Sequence, residues 1–151
     1  MSSTAPTAAS RTTPAGTVSW KSTAIAAVIG AVGGLVINSL IAVVARSVFD
    51  APAEFQPLTL PAYGTFTVFG AIIGAVGWHL IATRARHATR LLGWLVPTVV
   101  VLSLIPDVML LADKTSQPGT TTAGVIALML MHVGVAVAAV PAYRRFIAPQ
   151  S

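Results

Sequence analysis

Residues 23–44 read TAIAAVIGAVGGLVINSLIAVV, twenty-two residues with no charge among them. A helix built from this stretch is apolar all the way round and has no polar face to offer water. At 1.5 Å rise per residue it is about 33 Å long, enough to cross a hydrocarbon core of about 30 Å. The solvent this segment expects is lipid.

Three more stretches of the same kind follow, over residues 65–83, 91–111 and 123–141, with lengths of 19, 21 and 19 residues. Each is long enough to span. The connections over 45–64, 84–90 and 112–122 are rich in Pro, Gly, Thr or charge, as loops are. Short connections make successive helices antiparallel neighbours. The expected fold is therefore all-α, a four-helix transmembrane bundle with up-down neighbours over residues 21–145. A short cytoplasmic tail over 146–151 ends it. Residues 1–20 are mostly Ser, Thr, Ala and Pro without an apolar period, which predicts a disordered cytoplasmic tail. A signal peptide would begin its apolar core earlier and end it sooner.

The composition agrees. Of 151 residues, 55% are hydrophobic and 9% charged, against about a quarter charged in a soluble domain. The net charge of +5 does not point to nucleic acid, because the basic residues form no stripe interleaved with aromatics. They sit at the ends of the apolar stretches, where they act as topology signals and attract anionic headgroups. The absence of cysteine excludes disulfides, thiolate nucleophiles and Cys-based metal sites.

Orientation follows from the Lys and Arg asymmetry. Arg11, Lys21, Arg84, Arg86, Arg90, Arg144 and Arg145 fall in the N-terminal tail, the middle connection and the C-terminal tail, whereas the other two connections hold only Arg46 and Lys114. This bias predicts both termini in the cytoplasm. Trp20, Trp94 and Tyr143 near the inner boundary, and Tyr63 near the outer one, suit interfacial anchors. His79, beside Trp78, reads as interfacial too.

The first span carries Ala26, Gly30, Gly34, Asn38 and Ala42 at four-residue spacing, and the second carries Gly70 and Gly74. Small residues on one stripe let backbones approach closely, which is how helices associate in lipid. Packing within one bundle and dimerisation through the same face both use this device.

Polar residues inside the spans are the candidate site. Counting 1.5 Å per residue, Asn38, Asp107, Ser103 and His132 lie about 9, 6, 12 and 13 Å from the outer ends of their helices. Side chains tilt toward their own helix N-terminus, which brings these four toward one level. The expectation is a polar layer of Asn38, Ser103, Asp107 and His132. An ionised Asp in lipid costs a few kcal/mol, so Asp107 needs a partner, a proton or water. His132 is the natural partner, because imidazole is charged or neutral according to its surroundings. Two readings follow: a proton-responsive site or small binding pocket, or interhelical glue with Asp107 snorkelling to the surface. Pro97 and Pro106 each remove a backbone hydrogen bond and kink a helix, and a kink at Pro106 would open a water path to Asp107.

No HExxH, Walker loop or GxSxG motif is present, and the loops leave no room for a soluble catalytic domain. No catalytic residue, cofactor or metal site is therefore expected, since His79 lies near the opposite face from His132 and Asp107.

Asn38 in the first span, Gly77-Trp78 in the second, Ser103-Leu104-Ile105-Pro106-Asp107 in the third and Leu130-Met131-His132 in the fourth carry a resemblance. Over residues 20–145 the chain resembles a family of small bacterial four-span membrane proteins of unknown function. The resemblance implies a multi-pass protein of the bacterial inner membrane and says nothing about chemistry. Two functional expectations stand. One is a non-enzymatic membrane component that packs with itself or with a membrane protein partner. The other is a small transporter or proton-linked carrier using His132 and Asp107.

Overall fold

The computed structural model describes residues 18–149. The expected N-terminal tail lies almost entirely outside the described residues, as do the last two residues of the C-terminal one.

Helix α1 runs over Trp20–Ser47 and opens on Ser19, whose hydroxyl accepts the backbone N–H of Ser22 at 3.1 Å. Its buried residues include Ala26, Gly30, Gly34, Asn38 and Ala42. Val28, Val32, Val36, Leu40 and Val43 on the other side are exposed. Small side chains inside and large apolar ones outside reverse the arrangement of a water-soluble bundle, and suit a bundle whose outer surface meets lipid.

A 3₁₀ turn over Gln56–Leu58 leads into α2, Leu60–Arg84, with Pro61 in its first turn. Proline is accepted there because its missing N–H would have had no helical partner. The third span consists of α3, Ala88–Ser103, and α4, Ile105–Ala112, separated at Leu104. Pro106 accounts for the break, since it cannot donate to the carbonyl of Leu102 and its ring crowds that carbonyl. Pro97 is carried inside α3 without one. Helix α5, Thr122–Phe146, is capped by the Thr121 hydroxyl, which accepts from Gly124 N–H at 3.0 Å.

These elements make an all-helical bundle with four helical stretches long and apolar enough to cross a membrane. Helix α1 packs chiefly on α5 and next on α2. The α3–α4 arm is peripheral: only Ala88, Leu92 and Asp107 are buried along it.

Each end of the bundle has its own apolar cluster. At one end Trp78, Leu92, Tyr143 and Ile147 pack together, and Trp78 Nε1–H donates to Ile147 O at 3.0 Å. At the other, Phe55 and Leu58 from the first connection are fully covered among Ala45, Val125 and Leu128. Arg46 donates to Leu58 O at 2.9 Å and holds that connection down. Gly119, at φ 71°, lies over Phe55, and a Cβ there would come within 2.9 Å of Phe55 N. Only glycine combines that backbone angle with that approach.

Candidate functional site

Asp107 sits in the first turn of α4, one residue after the proline that breaks the third span. That short helix turns the carboxylate toward α5, where His132 meets it with Nδ1 3.1 Å from Asp107 Oδ2. The carboxylate side chain is 5% exposed and the imidazole 39%. The pair thus has one dry member and one that reaches the surface of the bundle.

The contact is close without being a well-aligned hydrogen bond. His132 Nδ1 is also 2.9 Å from Leu128 O, one turn earlier in its own helix, and that bond takes the direction of the ring N–H. Asp107 Oδ2 is left buried with no aligned donor among the described residues. The short distance and the orphaned oxygen describe one fact: a carboxylate beside an imidazole, not fully satisfied by it. In lipid the pair is cheapest with no net charge, as carboxylic acid with neutral imidazole or as carboxylate with imidazolium. Both forms hold one proton more than an ionised Asp with a neutral His. Chemically the pair is a candidate proton site.

Among the described residues no third His, Asp or Glu joins the pair to make a set of metal ligands. Asp113 and Lys114, just beyond α4, are engaged elsewhere. Asp113 Oδ1 accepts from Thr115 N and Oγ1, and Lys114 donates to the Thr122 hydroxyl.

The other two members of the expected polar layer have different partners. Asn38 is 2% exposed and donates from Nδ2 to Thr67 Oγ1 on α2 at 2.8 Å. Its Oδ1 is buried, without a donor among the described residues, and faces Gly134. Ser103 donates to Val100 O in its own helix at 2.7 Å. The expected layer is therefore split into separate contacts: Asn38 with Thr67 between α1 and α2, and Asp107 with His132 between α4 and α5.

A third polar contact lies at the opposite end. His79 is buried, with Nδ1 2.7 Å from Thr23 Oγ1, and its ring stacks on Trp20 at 4.0 Å between centroids. It is not the interfacial side chain that its neighbour Trp78 suggested. The signal was present in sequence as a threonine near the start of one apolar helix and a histidine near the end of the next. Antiparallel neighbours bring such positions together.

Among the packing residues, Ala26 is fully buried. A Cβ on Gly30 would lie 3.0 Å from Ala139 Cβ, and one on Gly34 would lie 2.9 Å from Thr67 Cγ2. A Cβ on Gly74 would lie 2.9 Å from the Tyr143 hydroxyl oxygen. Gly70 has nothing within 4 Å of that position. The α1 stripe is used inside the bundle, against α5 and α2.

Compared with known proteins, residues 17–149 match the model of a family of unknown function (DUF6069). No curated protein and no solved structure matches the chain.

Proposed function

Because the chain belongs to a family of unknown function, DUF6069, its chemistry has to be read from its own residues, and we propose that it is a non-enzymatic membrane protein whose activity is linked to protonation of the Asp107–His132 pair. The observation that carries this reading is the buried Asp107 Oδ2, 3.1 Å from an imidazole nitrogen whose N–H is directed elsewhere. Asn38 Oδ1 is orphaned as well, but an amide has no proton to gain near neutral pH, whereas a carboxylate beside an imidazole does. A group that exchanges a proton gains from a partner that leaves the carboxylate incompletely bonded.

The geometry also supports a link between protonation and shape. Asp107 is the single buried residue of α4, and a break at Leu104 separates α4 from α3. A change in the proton count of the pair acts on a short helix with little else buried. We place both termini and the arginine-bearing end in the cytoplasm and the protein in a bacterial inner membrane, on the Lys and Arg bias and the resemblance already described.

A nitroxide label on Met109→Cys tests the link, because the chain has no other cysteine and Met109 is exposed. As pH is varied the label's mobility should change in the otherwise wild-type protein and stay constant when Asp107→Asn is added. A double-mutant cycle of Asp107→Asn and His132→Ala should give a coupling energy of about 0.5–3 kcal/mol. Additive losses together with a pH-independent label would sink the reading.

A further inference from the structure

The end of the bundle that carries the arginines carries no carboxylate side chain. Lys21, Arg84, Arg90, Arg144 and Arg145 lie in the terminal turns of α1, α2, α3 and α5, with Arg86 in the connection between α2 and α3. The chain's four acids, Asp50, Glu54, Asp107 and Asp113, all belong to the other half. None of these six cations makes a salt bridge among the described residues. Side-chain counter-charge for them has to come from outside the chain.

One of these cations, Arg90, lines a shaped surface. His87, Arg90, Leu91 and Trp94 form an open pocket of about 250 Å³ at the start of α3. Trp94 is 72% exposed and Leu91 46%, so nothing in the bundle covers the pocket. Arg90 and Trp94 are four residues apart and share a helix face. The planar guanidinium suits two oxygens of one phosphate, and an exposed indole suits the level of the glycerol backbone. Further along the arm Leu95, Val101 and Leu102 are exposed and apolar. A molecule with a phosphate at one end and a hydrocarbon chain at the other satisfies the whole surface.

We propose that this pocket binds an anionic phospholipid, with Arg90 on the headgroup phosphate, Trp94 and Leu91 against the glyceride, and the acyl chain along α3. A free phosphate would answer the charge of Arg90 and leave Trp94 and Leu91 uncovered. The assignment does not depend on which side of the membrane this end faces, nor on the Asp107–His132 pair.

The test uses the full chain in detergent micelles, titrated with phosphatidylglycerol or phosphatidylcholine carrying brominated acyl chains. The quenching that is lost in Trp94→Phe isolates the signal of Trp94. Phosphatidylglycerol should quench that signal at about fivefold lower concentration than phosphatidylcholine, as expected for one cation at a membrane surface. Arg90→Gln should abolish the preference, whereas Lys114→Gln, which removes the same charge from the other end, should leave it intact. Equal quenching by the two lipids in wild type would overturn the proposal. So would a preference that survives Arg90→Gln, or falls equally in Lys114→Gln, because net charge alone then explains it. Inorganic phosphate that displaces the brominated lipid at equal concentration would show a free-anion site and overturn the lipid assignment.

Discussion

The hydroxyl of Tyr143, in the last turn of α5, donates to the backbone carbonyl of Ala71 in the middle of α2 at 2.6 Å. The side chain tilts toward the start of its own helix and passes over Gly74, where a Cβ would lie 2.9 Å from the phenol oxygen. A helix contact is thereby joined to a hydrogen bond. Tyr143→Phe should lower unfolding stability in detergent by about 1 kcal/mol. Gly74→Ala should also destabilise, and by less when Tyr143→Phe is already present. Strict additivity would mean that the tyrosine is not held over the glycine.

The glycines sort into those that touch another helix and those that do not. Gly30→Leu and Gly34→Leu should each cost about 1–3 kcal/mol or more, because the added side chain meets Ala139 or Thr67 directly. Gly70→Ala should be tolerated, with nothing within 4 Å of the new methyl group. Thermal unfolding of the three variants in one detergent makes the comparison. A Gly34→Leu protein as stable as wild type would remove α1 from the interior.

Topology is measurable with single cysteines introduced into the cysteine-free chain. Cysteines at the exposed positions Ala53, Gln56, Ser116 and Pro118 should react with an impermeant thiol reagent added to intact cells. Those at Arg86 and Ala148 should react only after lysis. The reverse pattern would invert the orientation proposed from the charge bias.

Acidification should release a local constraint just beyond α4. Asp113 accepts hydrogen bonds from Thr115 Oγ1 and Thr115 N, at 2.6 and 3.0 Å, and these hold its carboxyl below the usual aspartate range. Because the folded value is lowered, its stabilising effect is present above the unfolded value and disappears as pH falls through the folded one. A carboxyl carbon NMR titration should show the Asp113 midpoint rising in Thr115→Val. An unmoved midpoint would mean that the turn does not form.

The spans were readable because a 30 Å apolar core imposes a length and a composition that single residues cannot disguise. The α1 stripe was readable for a related reason, since its spacing puts Ala26, Gly30 and Gly34 on one face wherever that face turns. What the sequence left open was rotation and partner. Asn38 and Asp107 lie at similar depths, yet Asn38 finds its hydrogen bond on α2 and Asp107 its neighbour on α5, and depth along a helix says nothing about azimuth. Ser103 stayed with its own backbone, as serine in a helix often does. Tyr143 resembled a boundary anchor because an aromatic followed by two arginines is common there, but it is 4% exposed. Phe55 was hidden in a connection, and nothing in its neighbours announces that two loops close over it.

The first helix of this chain has its main partner in the last. While the ribosome is still making the third span, α1 can have α2 beside it but not Ala139 or Gly134, and the stripe that will face them has no such partner for several seconds of synthesis. Phe55 waits as well, since Gly119 and Gly124 have yet to emerge. Closure of the bundle therefore waits for α5. A nascent chain cut short before Thr122 carries three of the four span-length helices and lacks the one on which α1 chiefly packs.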